Sequence, residues 1–252
     1  MNQENKGHLH PLTLIISDVS RIFSELGFDI AIGPEIETEY NNFDALNVAK
    51  DHPARDMQDT FWLSKEKGLL LRTHISALQV PYMKKHGAPL KMISSGKVYR
   101  NEATDATHEA HYHYTEGLVV GKNISLADLK GTLNLFFNKL FGKDVEIRFR
   151  PSFFPFVEPG VEIDISCFKC DKKGCNVCKQ SGWIEVMGAG VVHPSVLEHG
   201  GINPNDWTGI AFGTGIDRLA MLKYGVHQLA ILVGRSCSSR WCWWSNYVCH
   251  ST

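Results

Sequence analysis

GKVYRNEATDATHEAHYHYTEG, residues 96–117, is the stretch on which the reading of the whole chain depends. It carries Arg100, Glu102, Asp105, His108, Glu109, His111, His113 and Glu116, interleaved with Tyr99, Tyr112 and Tyr114, and apolar segments that read as strands flank it. A loop that only has to be solvated needs no such mixture of ionisable and aromatic groups. The pattern predicts a β-hairpin that presents an arginine and several carboxylates to a small anionic ligand, with an aromatic platform beside them. A charged surface hairpin is the plain alternative.

Composition narrows the frame around it. The chain has 252 residues, enough for one large domain with a sizeable core, and its 43% hydrophobic and 21% charged content is ordinary for a globular protein. No apolar run approaches the roughly 20 residues that a membrane span requires, so no membrane association is expected. The start, MNQENKGHLHPL, lacks the apolar segment of a secretory signal, which points to the cytoplasm. In that compartment the seven cysteines are expected to be reduced, and regular cysteine spacing reads as metal binding rather than disulfides. Twenty-six basic against 27 acidic residues, net −1, argues against an autonomous nucleic-acid binder, which would usually be basic overall; contact with RNA would need a local face or a partner subunit.

Upstream of the hairpin, Pro11 begins a helical pattern of Leu12, Ile15, Ile16, Val19, Ile22, Phe23 and Leu26 that Gly27 ends. Glu35, Glu37 and Glu39 then fall on one side of a strand by period two, as a solvated face or as part of a site. Residues 51–63 combine His52, Arg55, Asp56 and Asp59 with Thr60, Phe61 and Trp62, a structured loop feeding a strand. GLLLRTH is a further strand, and the polar His74, Ser76 and Gln79 at and beyond its end either line a cleft or, with Ser76 as cap, start a helix.

Downstream, Ser125 and Asp128 form a capping box for a helix bearing Leu126, Leu129, Leu133, Phe136, Phe137 and Leu140, which Gly142 stops. VEIRF alternates as a strand. In RPSFFPFVEPG, residues 150–160, Pro151, Pro155 and Pro159 hold the backbone extended and fix the directions of three rings. One of them is expected to fill the core, and two standing either side of Pro155 could wall a pocket for an apolar, even aromatic, group. Two strands follow with a hairpin between them, in which Cys167, Cys170, Cys175 and Cys178 make CxxCxxxxCxxC. Four thiolates so spaced suit one structural Zn²⁺, the alternative being four reduced thiols. Finally, Ile210, Ala211 and Phe212 read as a short buried strand, after which Gly213 and Gly215 turn the backbone into a helix with Arg218 in its first turn. GxG before a helix is a weak phosphate signal that Arg218 strengthens, although Asp217 and Arg218 could be a surface pair.

Taken in order, MISSGKVYRNEATDATH, RPSFFPFVEP and GIAFGTGIDRLAM resemble motif 2, the amino-acid pocket segment and motif 3 of class II aminoacyl-tRNA synthetases. Within them the match is to the α subunits of the bacterial phenylalanine enzymes. FDALN, HPARDMQDTFW, LLRTHISALQ and GAGVVHP add further blocks, and the resemblance covers residues 8–226. It implies an α+β fold, an antiparallel sheet flanked by helices, as one catalytic domain over residues 1–226 with a four-cysteine hairpin insertion at 166–182. It also implies ATP and L-phenylalanine as substrates, Mg²⁺ as cofactor, and a larger β subunit and tRNA(Phe) as partners in an α2β2 enzyme.

Carried over by position, Arg100 would grip the α-phosphate of ATP, Glu102 would approach the adenine amino group, Tyr112 would stack on adenine and His108 would lie near the polyphosphate. Arg218 would hold the γ-phosphate and Glu158 would bind Mg²⁺, while Pro34 would fall in motif 1 at a subunit interface. His74, Ser76, Gln79, Tyr114 and Glu116 would surround the ammonium and carboxylate of phenylalanine. Phe154 and Phe156 would meet its ring, with Val157 and Ala211 limiting the depth of the pocket. The chain departs from the pattern at Tyr114, where the family has glutamine, and at Ile75, where it has threonine. It starts without the family's N-terminal helical arm. Residues 227–252, with Cys237, Cys242 and Cys249 beside Trp241, Trp243 and Trp244, depart from it altogether and read as an aberrant end, expected then to be poorly ordered, the alternative being a genuine extension or a second metal site. The rival readings are a class II paralogue that activates another amino acid, and a truncated chain that binds ligands without catalysis.

Overall fold

Alternating apolar and polar side chains over residues 90–99 and 111–121 can bury one face of each segment only if the two pair as strands. In the computed structural model, which describes residues 9–51, 55, 60–101, 110–142 and 144–225, they do so. Strands β5 (Leu90–Tyr99) and β6 (His111–Gly121) run antiparallel, in unbroken register from Leu90 opposite Val120 to Tyr99 opposite His111. Glu102, Asp105, His108 and Glu109 lie outside the described residues, as do His52, Asp56, Asp59 and the tail expected at 227–252.

This pair sits inside a seven-stranded sheet of order β1-β5-β6-β10-β9-β8-β7, with β1 Asp29–Ala31, β7 Ile147–Phe154, β8 Val157–Ser166, β9 Trp183–Val192 and β10 Thr208–Gly215. Every neighbouring pair is antiparallel except the short β1, which runs parallel to β5, so the sheet is mixed rather than purely antiparallel. Strand β7 is an edge, which is why it tolerates Pro151. A second, three-stranded sheet places β4 (Leu69–Leu71) between β2 (Ile36–Thr38) and β3 (Trp62–Ser64).

Helices α1 (Pro11–Glu25), α4 (Leu126–Phe141) and α6 (Ile216–Tyr224) supply one core cluster, with Ile15, Ile22, Phe23, Leu133, Phe136 and Leu219 fully buried. The Phe23 ring stacks on Phe136 at 4.7 Å and on Phe212 of β10 at 5.4 Å, tying two helices to the sheet. A second cluster gathers Leu46, Leu70, Val80, Met83, Met92, Leu118 and Leu197 around the short helices α2 (Glu39–Asn42), α3 (Gln79–His86) and α5 (Pro194–His199). The helix ends follow their sequence signals. Ser125 N–H donates to Asp128 at 2.9 Å in a capping box, and Gly142 closes α4 in the left-handed region at φ 62°.

Three local expectations are corrected. Glu35, Glu37 and Glu39 do not share a solvated strand face: Glu37 is buried against Asn41, Glu39 starts α2 and pairs with Arg55, and Glu35 accepts from the Tyr99 hydroxyl. Gly213 does not turn the chain, because β10 runs on through it to Gly215. Of the three phenylalanines in residues 150–160, none is a buried core residue; Phe153 stands 79% exposed.

Candidate active site

Alternation along β6 puts Tyr112, Tyr114 and Glu116 on one face of the sheet, and that face forms the floor of a cavity of about 320 Å³. The neighbouring strands are kept low there. In register, Glu116 stands opposite Gly213, Gly213 opposite Gly188, and Ala211 opposite both Leu118 and Gly190. A Cβ on Gly213 would lie 2.8 Å from Glu116 Cγ and 2.8 Å from Tyr114 Cε1, so this glycine is required by the close approach of both side chains. The β7–β8 turn raises one wall: Phe154 and Phe156 face each other at 5.9 Å and 23°, and Val157 fills in below them. Asn47 Nδ2 holds this turn through the Pro155 carbonyl at 2.8 Å. The opposite side comes from the 3₁₀ turn Ile75–Leu78 and the start of α3, which bring His74, Ser76 and Gln79 to the floor.

Those last residues converge on one carboxylate. Glu116 is 5% exposed and accepts from Ile75 N–H at 3.1 Å, from Ser76 Oγ at 2.5 Å and from Gln79 Nε2 at 3.3 Å. Ser76 is thus committed to the cleft, and the residue preceding α3 is Leu78. Burial pushes the Glu116 carboxyl up to about 7 in spite of these donors. Around it the other titratable groups are held neutral. Burial, assisted by the Arg100 charge, lowers His74 to about 4. Burial, then the nearby Glu116, raises the Tyr114 phenol. Among the described residues that line the cavity, Glu116 is the one acid and Arg100 the one strong base. An ammonium group would find its countercharge at Glu116, and an anion would find its own at Arg100.

Arg100 follows directly on β5, its guanidinium 5.3 Å from the centre of the Tyr112 ring, and its N–H donates to the Ala110 carbonyl at 3.0 Å. Arg218 lies on exposed ground in the first turn of α6, outside the cavity lining, with Nε donating to the Glu185 carbonyl at 2.9 Å. Glu158 also stands outside the lining, next to Val157, its carboxylate 78% exposed and 3.6 Å from His193 Nε2. An accessible carboxylate fits Mg²⁺, which keeps most of its waters and takes one or two carboxylates together with substrate phosphates.

All nine residues expected around an amino acid (His74, Ser76, Gln79, Tyr114, Glu116, Phe154, Phe156, Val157 and Ala211) line this one cavity, together with Arg100 and Tyr112. Arg218 and Glu158 do not, and Glu102 and His108 lie outside the described residues. Sequence reasoning missed Phe43, Val48 and Thr73 on the far wall and Gly188 and Gly213 on the floor. Gly188 lay within a quoted block, GAGVVHP, and paired glycines in apolar strands are a usable sign of close approach. Nothing local marks Thr73, which is placed by Asn42 across 31 positions of sequence. The four cysteines of the β8–β9 connection come together elsewhere, all four sulfurs within 4.8 Å of one another, an arrangement able to hold a metal ion.

Comparison with known proteins gives a consistent set. The family model described as "tRNA synthetases class II core domain (F)" matches residues 1–240. The chain is 54% identical over 226 residues to the phenylalanine–tRNA ligase alpha subunit of Caldanaerobacter subterraneus subsp. tengcongensis, and 54% identical over 230 residues to those of Streptococcus thermophilus and Streptococcus mutans. Each alignment covers 90% of this chain and 66% of the relative, so the chain spans about two thirds of their length. Among solved structures, pyrrolysyl-tRNA synthetase from Desulfitobacterium hafniense superposes with a TM-score of 0.69 at 17% identity, over 93% of this chain and 76% of that one.

Proposed function

The chain belongs to the class II core-domain family of tRNA synthetases, and from that premise we propose that it activates L-phenylalanine with ATP and passes it to the 3′ end of tRNA(Phe), as the α subunit of an α2β2 enzyme in the cytoplasm. The observation that carries this reading is the pairing of a buried carboxylate, Glu116, with an aromatic-walled cavity that also receives Arg100. One end thus suits an ammonium, one wall a benzyl ring, and the remaining side a carboxylate beside a phosphate.

In this scheme Glu116, ionised on binding, takes the ammonium, with Tyr114 Oη and His74 as neutral partners. The edge of the substrate ring meets Phe154 and Phe156, and Val157 and Ala211 set its depth. A longer side chain is refused for want of room, and a phenolic hydroxyl for want of a partner. The substrate carboxylate oxygen attacks the α-phosphorus in line; the bond to the bridging oxygen breaks and pyrophosphate leaves, giving the mixed anhydride phenylalanyl-adenylate. A ribose hydroxyl of the tRNA then attacks the carbonyl carbon, AMP departs, and the ester forms. No side chain becomes covalently engaged. Arg100 offsets charge at the α-phosphate, where its planar fork can pair two oxygens, and orientation supplies much of the remaining acceleration. Tyr112 would stack on adenine, Arg218 would reach the γ-phosphate, and Glu102 and His108 would serve adenine and polyphosphate. Mg²⁺, held at Glu158, would neutralise polyphosphate charge. A Zn²⁺ at the cysteines would be structural.

Phenylalanine-dependent exchange of pyrophosphate into ATP, measured with a β subunit present, tests the proposal. Exchange is expected, and Arg100→Ala should lower it at least about 100-fold. Exchange with another amino acid in preference to phenylalanine would indicate a paralogue. Thermal stabilisation by a phenylalanyl-adenylate analogue without any exchange would indicate a non-catalytic binder.

A further inference from the structure

The β8–β9 connection contains a tandem repeat: CFKCDKKG, residues 167–174, is followed directly by CNVCKQSG, residues 175–182. Its two halves repeat in backbone as well as in spacing. Lys172 N–H donates to the Cys167 carbonyl at 3.2 Å and Gln180 N–H to the Cys175 carbonyl at 2.9 Å; Lys173 N–H donates to Cys170 at 2.9 Å and Ser181 N–H to Cys178 at 3.0 Å. Each second cysteine is followed by two residues in the left-handed region, Asp171 and Lys172 at φ 46° and 64°, then Lys179 and Gln180 at 49° and 64°. Each half closes on a glycine of positive φ, Gly174 at 96° and Gly182 at 75°. The halves also interlock. A Cβ on Gly174 would meet Gln180 Oε1 at 2.8 Å, and one on Gly182 would meet the Lys172 carbonyl at 2.6 Å.

Left-handed backbone is unfavourable for residues other than glycine, and four of the six such residues among those described fall in these 16 positions. Apolar packing here is thin: Phe168 meets Phe141 at 4.7 Å, while Val177 is 38% exposed. Something besides a hydrophobic core must hold the two halves together. The sulfurs indicate what it is. Cys167 and Cys175 Sγ are 3.7 Å apart, Cys170 and Cys178 3.8 Å, and Cys175 and Cys178 3.7 Å. Tetrahedral coordination at about 2.3 Å has sulfur–sulfur edges of about 3.8 Å.

We propose that residues 167–182 form a twin knuckle that binds one Zn²⁺ through Cys167, Cys170, Cys175 and Cys178, and that this ion is the folding core of the β8–β9 hairpin. Four thiolates select a soft, tetrahedral ion and leave it no open position for chemistry. Binding releases the thiol protons to solvent and leaves a doubly negative centre, in a segment that carries the exposed Lys169, Lys172, Lys173 and Lys179. No residue of the knuckle lines the cavity. The ion therefore secures one end of the β8–β9 pair, whose opposite end carries Val157 and whose middle carries Gly188.

Metal analysis of the whole chain purified without chelator tests this. One zinc per chain is expected, replaceable by Co²⁺ with the visible bands of a tetrahedral tetrathiolate, and lost in Cys170→Ser/Cys175→Ser. In the unaltered chain, which avoids any failure of that variant to fold, stripping the metal should abolish hydrogen-exchange protection of the Lys172, Lys173, Gln180 and Ser181 amides. Protection in α4 should remain. A metal-free soluble chain with four freely titrating thiols, iron in place of zinc, or knuckle protection indifferent to metal removal would each overturn the proposal.

Discussion

Burial works against the charge of Glu116. Burial raises its carboxyl from 4.5 to about 7. Between those values the folded chain keeps a proton that the unfolded chain has released, so this group makes the free protein less stable as pH rises across the window. A bound ammonium reverses the balance by favouring the ionised form. The Michaelis constant for the amino acid should therefore rise by up to about tenfold per pH unit below about 7, in exchange assays at fixed ATP; Glu116→Gln should flatten that limb and weaken binding throughout. Gly213 gives a steric counterpart. Gly213→Ala places a methyl group 2.8 Å from Glu116 and Tyr114, so affinity for the amino acid should fall at least about tenfold and the melting temperature should drop by several degrees, an overpacking cost of about 1–3 kcal/mol. Glu116 was legible in sequence because a carboxylate among tyrosines on a strand has few bland explanations. Gly213 was misread as a turn because a glycine next to a helix usually is one, and only the register with Glu116 shows its steric purpose.

Elements were the more readable scale. Helix α4 announces both of its ends, Ser125 with Asp128 at one and Gly142 at the other, because caps satisfy local backbone groups and so are written locally. Ser125→Ala should cost about 1 kcal/mol, read as a lowered midpoint in urea unfolding with an unchanged slope. The β7–β8 turn was harder to read. Its prolines signalled an extended segment, but which ring faces which side depends on where the turn falls, and Phe153 proved to be the one directed to solvent. The cysteine hairpin was visible as metal-ligand spacing, yet the matched backbone of its two eight-residue halves became apparent only with the φ angles and hydrogen bonds.

At the scale of the whole molecule, strand order was not legible, since nothing in β10 announces that it inserts between β6 and β9. That insertion makes the core and the cavity two faces of one strand. The Phe212 ring packs into the helix-side cluster against Phe23, while Ala211 and Gly213, with the Phe212 backbone between them, lie along the cavity. Phe23→Ala, which removes the ring stacked on both Phe136 and Phe212, should destabilise the fold by about 3–5 kcal/mol in calorimetry or denaturant unfolding, with ligand-binding capacity lost at the same transition. The β5–β6 hairpin makes the same point about error. Pairing displaced by one residue would turn Glu116 and both tyrosines toward the helices and send His113 and Thr115 to the cavity. A displaced Gly117 would also surrender the space in which the Phe212 ring now lies, 2.1 Å from where a Cβ would stand. Misregistered copies would thus lose the Glu116 carboxylate from the cavity and leave the core unsealed, so that instability would discard the copies that could not bind.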